Sequence, residues 1–184
     1  MDIFEKRKKD ILEKLDKSNI GGWDEKIVEL CNKINNKKNF YTTSSCSGRI
    51  ILLKDKDKKA PNLFLFVSHE KVDFKKFIEA VKKIKEKEVS FKQEPCGLHI
   101  ACRNLDEAQE ILDKARKIGW KKSGIISSKK RYIIELFGTA KLEFPIISKG
   151  KVLVDESFLR VALEKANKNL EKSWKQIKEL ERIF

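Results

Sequence analysis

Apolar residues recur at two different periods along the chain, and each change of period marks a new element. From Asp2 to Lys17, Ile3, Ile11, Leu12 and Leu15 fall at helical spacing, and Ser18, Asn19 and Gly21-Gly22 end that run. A second helix begins near Asp24 and carries Ile27, Val28, Leu30, Cys31 and Ile34 to the Asn35-Asn36 break, so residues 1–36 read as a helical hairpin. From Phe40 the period shortens, and 49–53, 62–68, 88–93, 97–103, 123–128 and 131–137 read as strands. Two amphipathic helices lie among them: 73–87, with Phe74, Phe77, Ile78, Val81 and Ile84, and 105–118, with Leu105, Ala108, Ile111, Leu112 and Ala115. The order strand, helix, strand, then a further strand therefore occurs twice, over 62–93 and 97–128, which predicts a duplicated β-α-β-β unit. A short hairpin around Lys149-Gly150 and one long helix over 156–183 complete the chain. This is an α+β pattern, expected to form one domain over 1–184: a helical hairpin (1–36), a sheet-and-helix core (40–154) and a C-terminal helix (155–184).

The 184 residues are 40% hydrophobic and 38% charged, with three prolines and eight glycines, which supports a core and excludes collagen-like and low-complexity classes. The longest apolar stretches, Ile50–Leu53 and Leu63–Val67, fall far short of the roughly 20 residues that span a bilayer. Asp2–Lys17 alternates in charge and offers no apolar signal-peptide region. Cys31, Cys46, Cys96 and Cys102 are thus expected as reduced thiols in a cytoplasmic protein. The formal charge is +14, unevenly spread. Residues 1–36 hold eight basic and eight acidic side chains and 155–184 hold seven and six, which leaves +13 on 37–154. A basic field concentrated among strands and turns points to a polyanion, above all a nucleic acid.

The densest chemical signal is Thr42-Thr43-Ser44-Ser45-Cys46-Ser47-Gly48-Arg49, read as a polar loop between a helix and the apolar run Ile50–Leu53. Hydroxyls closed by Gly-Arg place several donors beside a guanidinium, a set suited to a carboxylate or phosphate. In 97–103, strand alternation puts His99, Ala101 and Arg103 on one face and Leu98, Ile100 and Cys102 on the other. His69 closes its own strand after Val67 and Ser68. Cys96-x-x-His99-x-x-Cys102 does not converge on one side of an extended strand, so no metal site is read there. The chain has neither G-x-G-x-x-G nor G-x-x-x-x-G-K-[ST], so a nucleotide-like group would not bind in the ordinary Rossmann or P-loop manner.

Taken in order, Thr42–Ile50, Phe66-Val67-Ser68-His69, Glu94-Pro95, Leu98-His99-Ile100-Ala101-Cys102-Arg103 and Ser123-Gly124 resemble the tRNA wybutosine-synthesising protein 3 family, from about Phe4 to Leu163. The resemblance implies an S-adenosylmethionine-dependent methyltransferase acting on the N4 nitrogen of the tricyclic wyosine-type base 3′ of the anticodon in phenylalanine tRNA. It also implies duplicated β-α-β-β units in a mostly antiparallel, barrel-like sheet. Residue by residue, it marks Ser44, Ser45, Cys46, Ser47, Gly48 and Arg49 for an end of the methyl donor or a substrate carboxylate. His69 or His99 would bond the base or accept its proton, Arg103 would anchor an anion, and Ser123-Gly124 would form a turn at the site. Thr139, Glu143 and Pro145 resemble the family's last motif.

Three departures stand out: Phe64 in place of Trp, a lysine-rich rather than glycine-rich stretch over Lys54–Asn62, and Phe137 in place of an arginine. Lys54, Lys56, Lys58, Lys59, Lys129, Lys130 and Arg131 are the cations expected to meet tRNA phosphates, with no membrane and no obligate protein partner. The competing reading of the same residues is a non-enzymatic RNA-binding module, whose serine segment merely grips phosphate.

Overall fold

The computed structural model describes residues 2–13, 24–55, 62–129 and 131–184. In chain order these form helix α1 (Ile3–Leu12), helix α2 (Glu25–Asn36), strands β1 (Phe40–Cys46), β2 (Arg49–Lys54) and β3 (Phe64–Ser68), then helix α3 (Phe74–Lys82). Strands β4 (Val89–Glu94) and β5 (Gly97–Cys102), helix α4 (Leu105–Lys117) and strands β6 (Gly124–Ser127), β7 (Tyr132–Phe137), β8 (Leu142–Ser148) and β9 (Lys151–Val152) follow, and helix α5 (Glu156–Glu181) closes the chain. Among the described residues no helix is long and apolar enough to cross a membrane.

The chain divides into two compact units, neither of them a continuous segment. The first takes residues 1–47, 96–139 and 174–184, and the second takes 48–95 and 140–173.

In the first unit four strands pair in the order β1-β5-β7-β6, each antiparallel to its neighbour. Strands β5 and β6 are joined through α4 and both oppose β7, so they run parallel with β7 between them, as a helical crossover requires. The side chain of Asn104 caps α4 by accepting the Glu107 N–H at 2.9 Å. Its apolar row, Ala108, Ile111, Leu112 and Ala115, is buried together with Ile27, Leu30, Cys31 and Ile34 of α2 against Leu98, Ile100 and Cys102 of β5. Trp120 is fully buried in that core and donates its Nε1–H to the Gln176 carbonyl at 3.4 Å. The opposite face of the sheet is covered by α1, whose Phe4 and Ile11 pack on Tyr41, Ala101 and Ile133. The two helices expected as a hairpin are both present, and they serve opposite faces of one sheet.

The second unit has five strands in the order β3-β2-β4-β8-β9. Again two strands joined by a helix, β3 and β4, flank a strand antiparallel to both. The repeated strand-helix-strand is therefore present, but the flanked strand is supplied differently. In the first unit it follows the crossover as β7. In the second it precedes it as β2, because β5, the strand that follows β4, pairs instead with β1 and β7. An aromatic series runs through this unit: Phe66, Phe77, Phe91, Phe144 and Phe158 succeed one another at centroid separations of 4.9–6.3 Å. Helix α5 is tied to the unit by side-chain amides. Asn169 donates to the fully buried Gln93 at 2.7 Å, Gln93 donates to the Ala140 carbonyl at 3.1 Å, and Asn167 bonds both the N–H and the C=O of Val72. Helix α3 stops at Lys82, short of the expected residue 87, because no buried apolar position follows Val81 until Val89. The expected hairpin is found as β8–β9, turning at Lys149-Gly150.

Candidate functional site

The run Thr42–Arg49 is not a loop. Phe40–Cys46 is strand β1, paired with β5 along its length, and Ser47-Gly48 alone connects it to β2. Backbone pairing overrides the turn preference of serine and threonine here, and the buried Tyr41 and Thr42 seat the strand. Between Thr42 and Ser44 the register shifts by one residue, so that Ser44 stands opposite His99; regular pairing would have put Thr43 there. Such a bulge re-aims side chains. Asn35 holds it by accepting the Thr42 N–H at 2.8 Å, while Thr42 and Ser45 face the Cys31 thiol on the α2 side. Burial pushes that thiol up to about 11 and the Cys102 thiol up to about 12, so neither is a nucleophile at neutral pH.

Because partners in register share a face, the pairing draws one row across all four strands of this sheet: Ser44, His99, Glu135 and Gly124. His99 Nε2 lies 2.9 Å from Glu135 Oε1, and both side chains are partly exposed, at 34% and 41%. At Gly124 an added Cβ would meet nothing within 4 Å, so the row ends in open space. The next row is Cys46, Gly97 and Phe137. There a Cβ on Gly97 would stand 2.8 Å from Phe137 Cε2, so only glycine lets the ring lie across the strand. On the other side comes the row Tyr41, Ala101 and Ile133, covered by α1. The polar row thus lies between an apolar, helix-covered strip and a half-buried aromatic ring.

Several expected site residues have other partners. Ser47 is fully buried, and its N–H and hydroxyl donate to Asp24 Oδ2 at 2.7 and 3.1 Å, which anchors the end of the serine run to the start of α2. Ser123 pins β7 by accepting the Phe137 N–H at 3.1 Å, and its carbonyl accepts Arg116 Nη2 at 2.7 Å. Arg103 stacks 4.7 Å from the Phe4 ring and donates Nε to Asn39 at 3.0 Å, and its terminal nitrogens meet Asp2 and Glu5. The anions Arg103 anchors in this structure are thus those of α1. The Asp2 carboxyl is held below the usual carboxylate range, first by the Glu5 N–H it caps and then by Arg103.

In the second unit Gly48 takes a φ of 101° and leads into Arg49, whose Nε donates to Glu94 Oε2 at 2.7 Å across β2–β4, with the guanidinium 5.3 Å from the Phe64 ring. His69 follows the last residue of β3 and is half-buried. Glu143 is lowered by its bonds to Lys141 and Lys92. Among the expected phosphate-binding cations, Lys54 is paired with Glu86 at 2.6 Å, Lys129 and Arg131 are exposed, and Lys56, Lys58, Lys59 and Lys130 lie outside the described residues.

Glu135 is the residue that sequence reasoning passed over. Its one signal was the alternation of 131–137, which sets a lone carboxylate between Ile133 and Phe137 on one face.

Comparison with known proteins adds to this geometry. The model of a family described as methyltransferase TYW3 matches residues 6–184. A tRNA(Phe) 7-((3-amino-3-carboxypropyl)-4-demethylwyosine(37)-N(4))-methyltransferase from Methanocaldococcus jannaschii is 36% identical over 154 residues, covering 82% of this chain and 80% of its own. The protein of the same name from Thermococcus sibiricus is 34% identical and covers 97% and 92%. The human tRNA wybutosine-synthesizing protein 3 homolog is 36% identical and covers 95% and 69%. Among solved structures, the PH1069 protein from Pyrococcus horikoshii superposes with a TM-score of 0.88 at 32% identity, over 97% of this chain and 92% of its own.

Proposed function

This chain belongs to the methyltransferase TYW3 family, and on that premise we propose that it transfers a methyl group from S-adenosylmethionine to the N4 nitrogen of the tricyclic wyosine-type base 3′ of the anticodon in phenylalanine tRNA. The observation that carries the reading is the Ser44, His99, Glu135, Gly124 row, which gathers residues from three of the motifs that mark the family onto one open sheet face.

The residues on this face fit the methyl donor. The Phe137 ring over Gly97 offers a flat apolar surface of the kind on which a purine stacks, Ser44 supplies a hydroxyl for its polar end, and Gly124 leaves room beside them. When bound, that donor supplies a methyl group on a sulfonium sulfur, which keeps the electron pair of the broken bond. The work of the chain is to hold the acceptor nitrogen in line, exclude water and take the N4 proton as the new N–C bond forms. His99 takes that proton. Lys129 and Arg131 meet backbone phosphates of the tRNA, and an anticodon-loop base, already unpaired, reaches the face without melting a duplex. The protein works in the cytoplasm.

The test is transfer of a labelled methyl group from S-adenosylmethionine to phenylalanine tRNA carrying the 4-demethyl tricyclic base, beside the same tRNA with unmodified guanosine. Label on the tricyclic nucleotide alone is the expected result. Retention of both RNAs without transfer would establish the non-enzymatic RNA-binding module instead.

A further inference from the structure

We propose that Glu135 is a positioning residue for the transfer, fixing the His99 ring with its proton on Nε2 and its lone pair on Nδ1. This rests on the reading above, in which His99 accepts the N4 proton.

An ionised glutamate accepts hydrogen bonds and donates none, so a 2.9 Å contact between Glu135 Oε1 and His99 Nε2 requires a proton on Nε2. In the neutral ring the lone pair is then on Nδ1, where no hydrogen bond engages it among the described residues. Free imidazole exchanges its proton between the two nitrogens, and each exchange to Nδ1 would leave the base with its lone pair turned toward Glu135.

The backbone holds this arrangement. His99 and Glu135 are directly opposed partners on β5 and β7, flanked by the pairs Gly97–Phe137 and Ala101–Ile133, so neither strand can slip without exposing buried residues. The neighbours on the same face compete little. Ser44 is exposed on one side and Gly124 brings no side chain on the other. Proton acceptance balances: the N4 proton passes to Nδ1, the ring becomes an imidazolium, and Glu135 stays ionised and faces the new positive charge.

The variants are Glu135→Gln and Glu135→Ala. The Glu135 side chain is 41% exposed and neither change opens a core cavity, so the fold survives. The first readout needs no turnover: long-range proton–nitrogen spectra of the two ring nitrogens, with His99 assigned by difference against His99→Ala, since the chain has two histidines. The wild type gives the Nε2–H form alone, Glu135→Ala a mixture, and Glu135→Gln a smaller shift, because its amide oxygen still accepts while its NH2 permits the reverse. The second readout is turnover. In Glu135→Ala kcat falls about tenfold to a hundredfold with KM for tRNA within about twofold, and Glu135→Gln lies between it and the wild type.

An unchanged tautomer in Glu135→Ala overturns the proposal, as does a rise in KM with kcat intact, which would make Glu135 a binding group. A wild type that methylates nothing overturns the reading under it, while the spectra still decide whether Glu135 fixes the ring.

Discussion

Gly97 shows how much of this site depends on a missing side chain. A methyl group there would approach Phe137 Cε2 and Cδ2 to 2.8 and 2.9 Å, closer than packed carbons come, so the ring or the strand must move. Gly97→Ala is therefore expected to cost about 1–3 kcal/mol in urea unfolding. The same change in a Phe137→Ala background should cost a few tenths, because the clashing ring is gone. Equal costs in both backgrounds would place the strain in the β5 backbone instead. The same residue accounts for a departure noted in the sequence: a ring at 137 crosses the glycine, where the resemblance led one to expect an arginine. His99 one position on was legible as a chemical residue from strand alternation alone. Its partner was not, since a carboxylate 36 positions away becomes its neighbour only through the β5–β7 register.

At the scale of elements, α1 is the least anchored helix. None of its residues is buried; Phe4 and Ile11, the hold of Arg103 on Asp2 and Glu5, and the Lys8 ammonium donating to the Lys37 carbonyl at 2.5 Å are among the contacts that seat it. Arg103→Ala should speed amide exchange along Ile3–Leu12 while leaving β5 and β7 protected; loss of protection in the strands as well would mean that Arg103 supports the sheet itself. Acid should act in the same direction. The Asp2 carboxyl is held below its ordinary 3.8, so its contribution is complete above that value and is lost as pH falls through the lower folded value. Exchange in α1 is thus expected to rise below about pH 4 before that of the sheet. The helices were legible because their apolar rows were. Strand β1 was not, because Thr42–Ser47 carries no apolar alternation and its serines resemble a turn until a partner strand is known.

For the whole molecule, the net charge of +14 overstates the cations offered to a polyanion, because several are already matched: Lys54 with Glu86, Lys92 and Lys141 with Glu143, Arg49 with Glu94. The salt dependence of tRNA binding should accordingly fall more on unmatched side chains. Lys129→Ala with Arg131→Ala is expected to lower the slope of log K against log salt by about two, and Lys54→Ala by much less than one. A larger effect at Lys54 would mean that Glu86 releases it on binding. The α+β class was legible from the two hydrophobic periods, and the family from an ordered set of short motifs, each weak alone. The division into two sheets was not, because it turns on which strand slips between the two ends of each helical crossover.

That arrangement also orders events in time. Among the described residues β1 pairs with β5 alone, and Phe40 meets Cys102 only after the whole of β2, β3, α3 and β4 has been made. A chain leaving the ribosome therefore carries β1 unpaired while the hairpin β2–β3 and its neighbour β4 find one another locally, and long-range pairings of this kind are slow to close. The hydroxyl-rich composition of Thr42–Ser47, which hid the strand from sequence reasoning, keeps that waiting edge soluble and poor in the apolar alternation on which stray strands add.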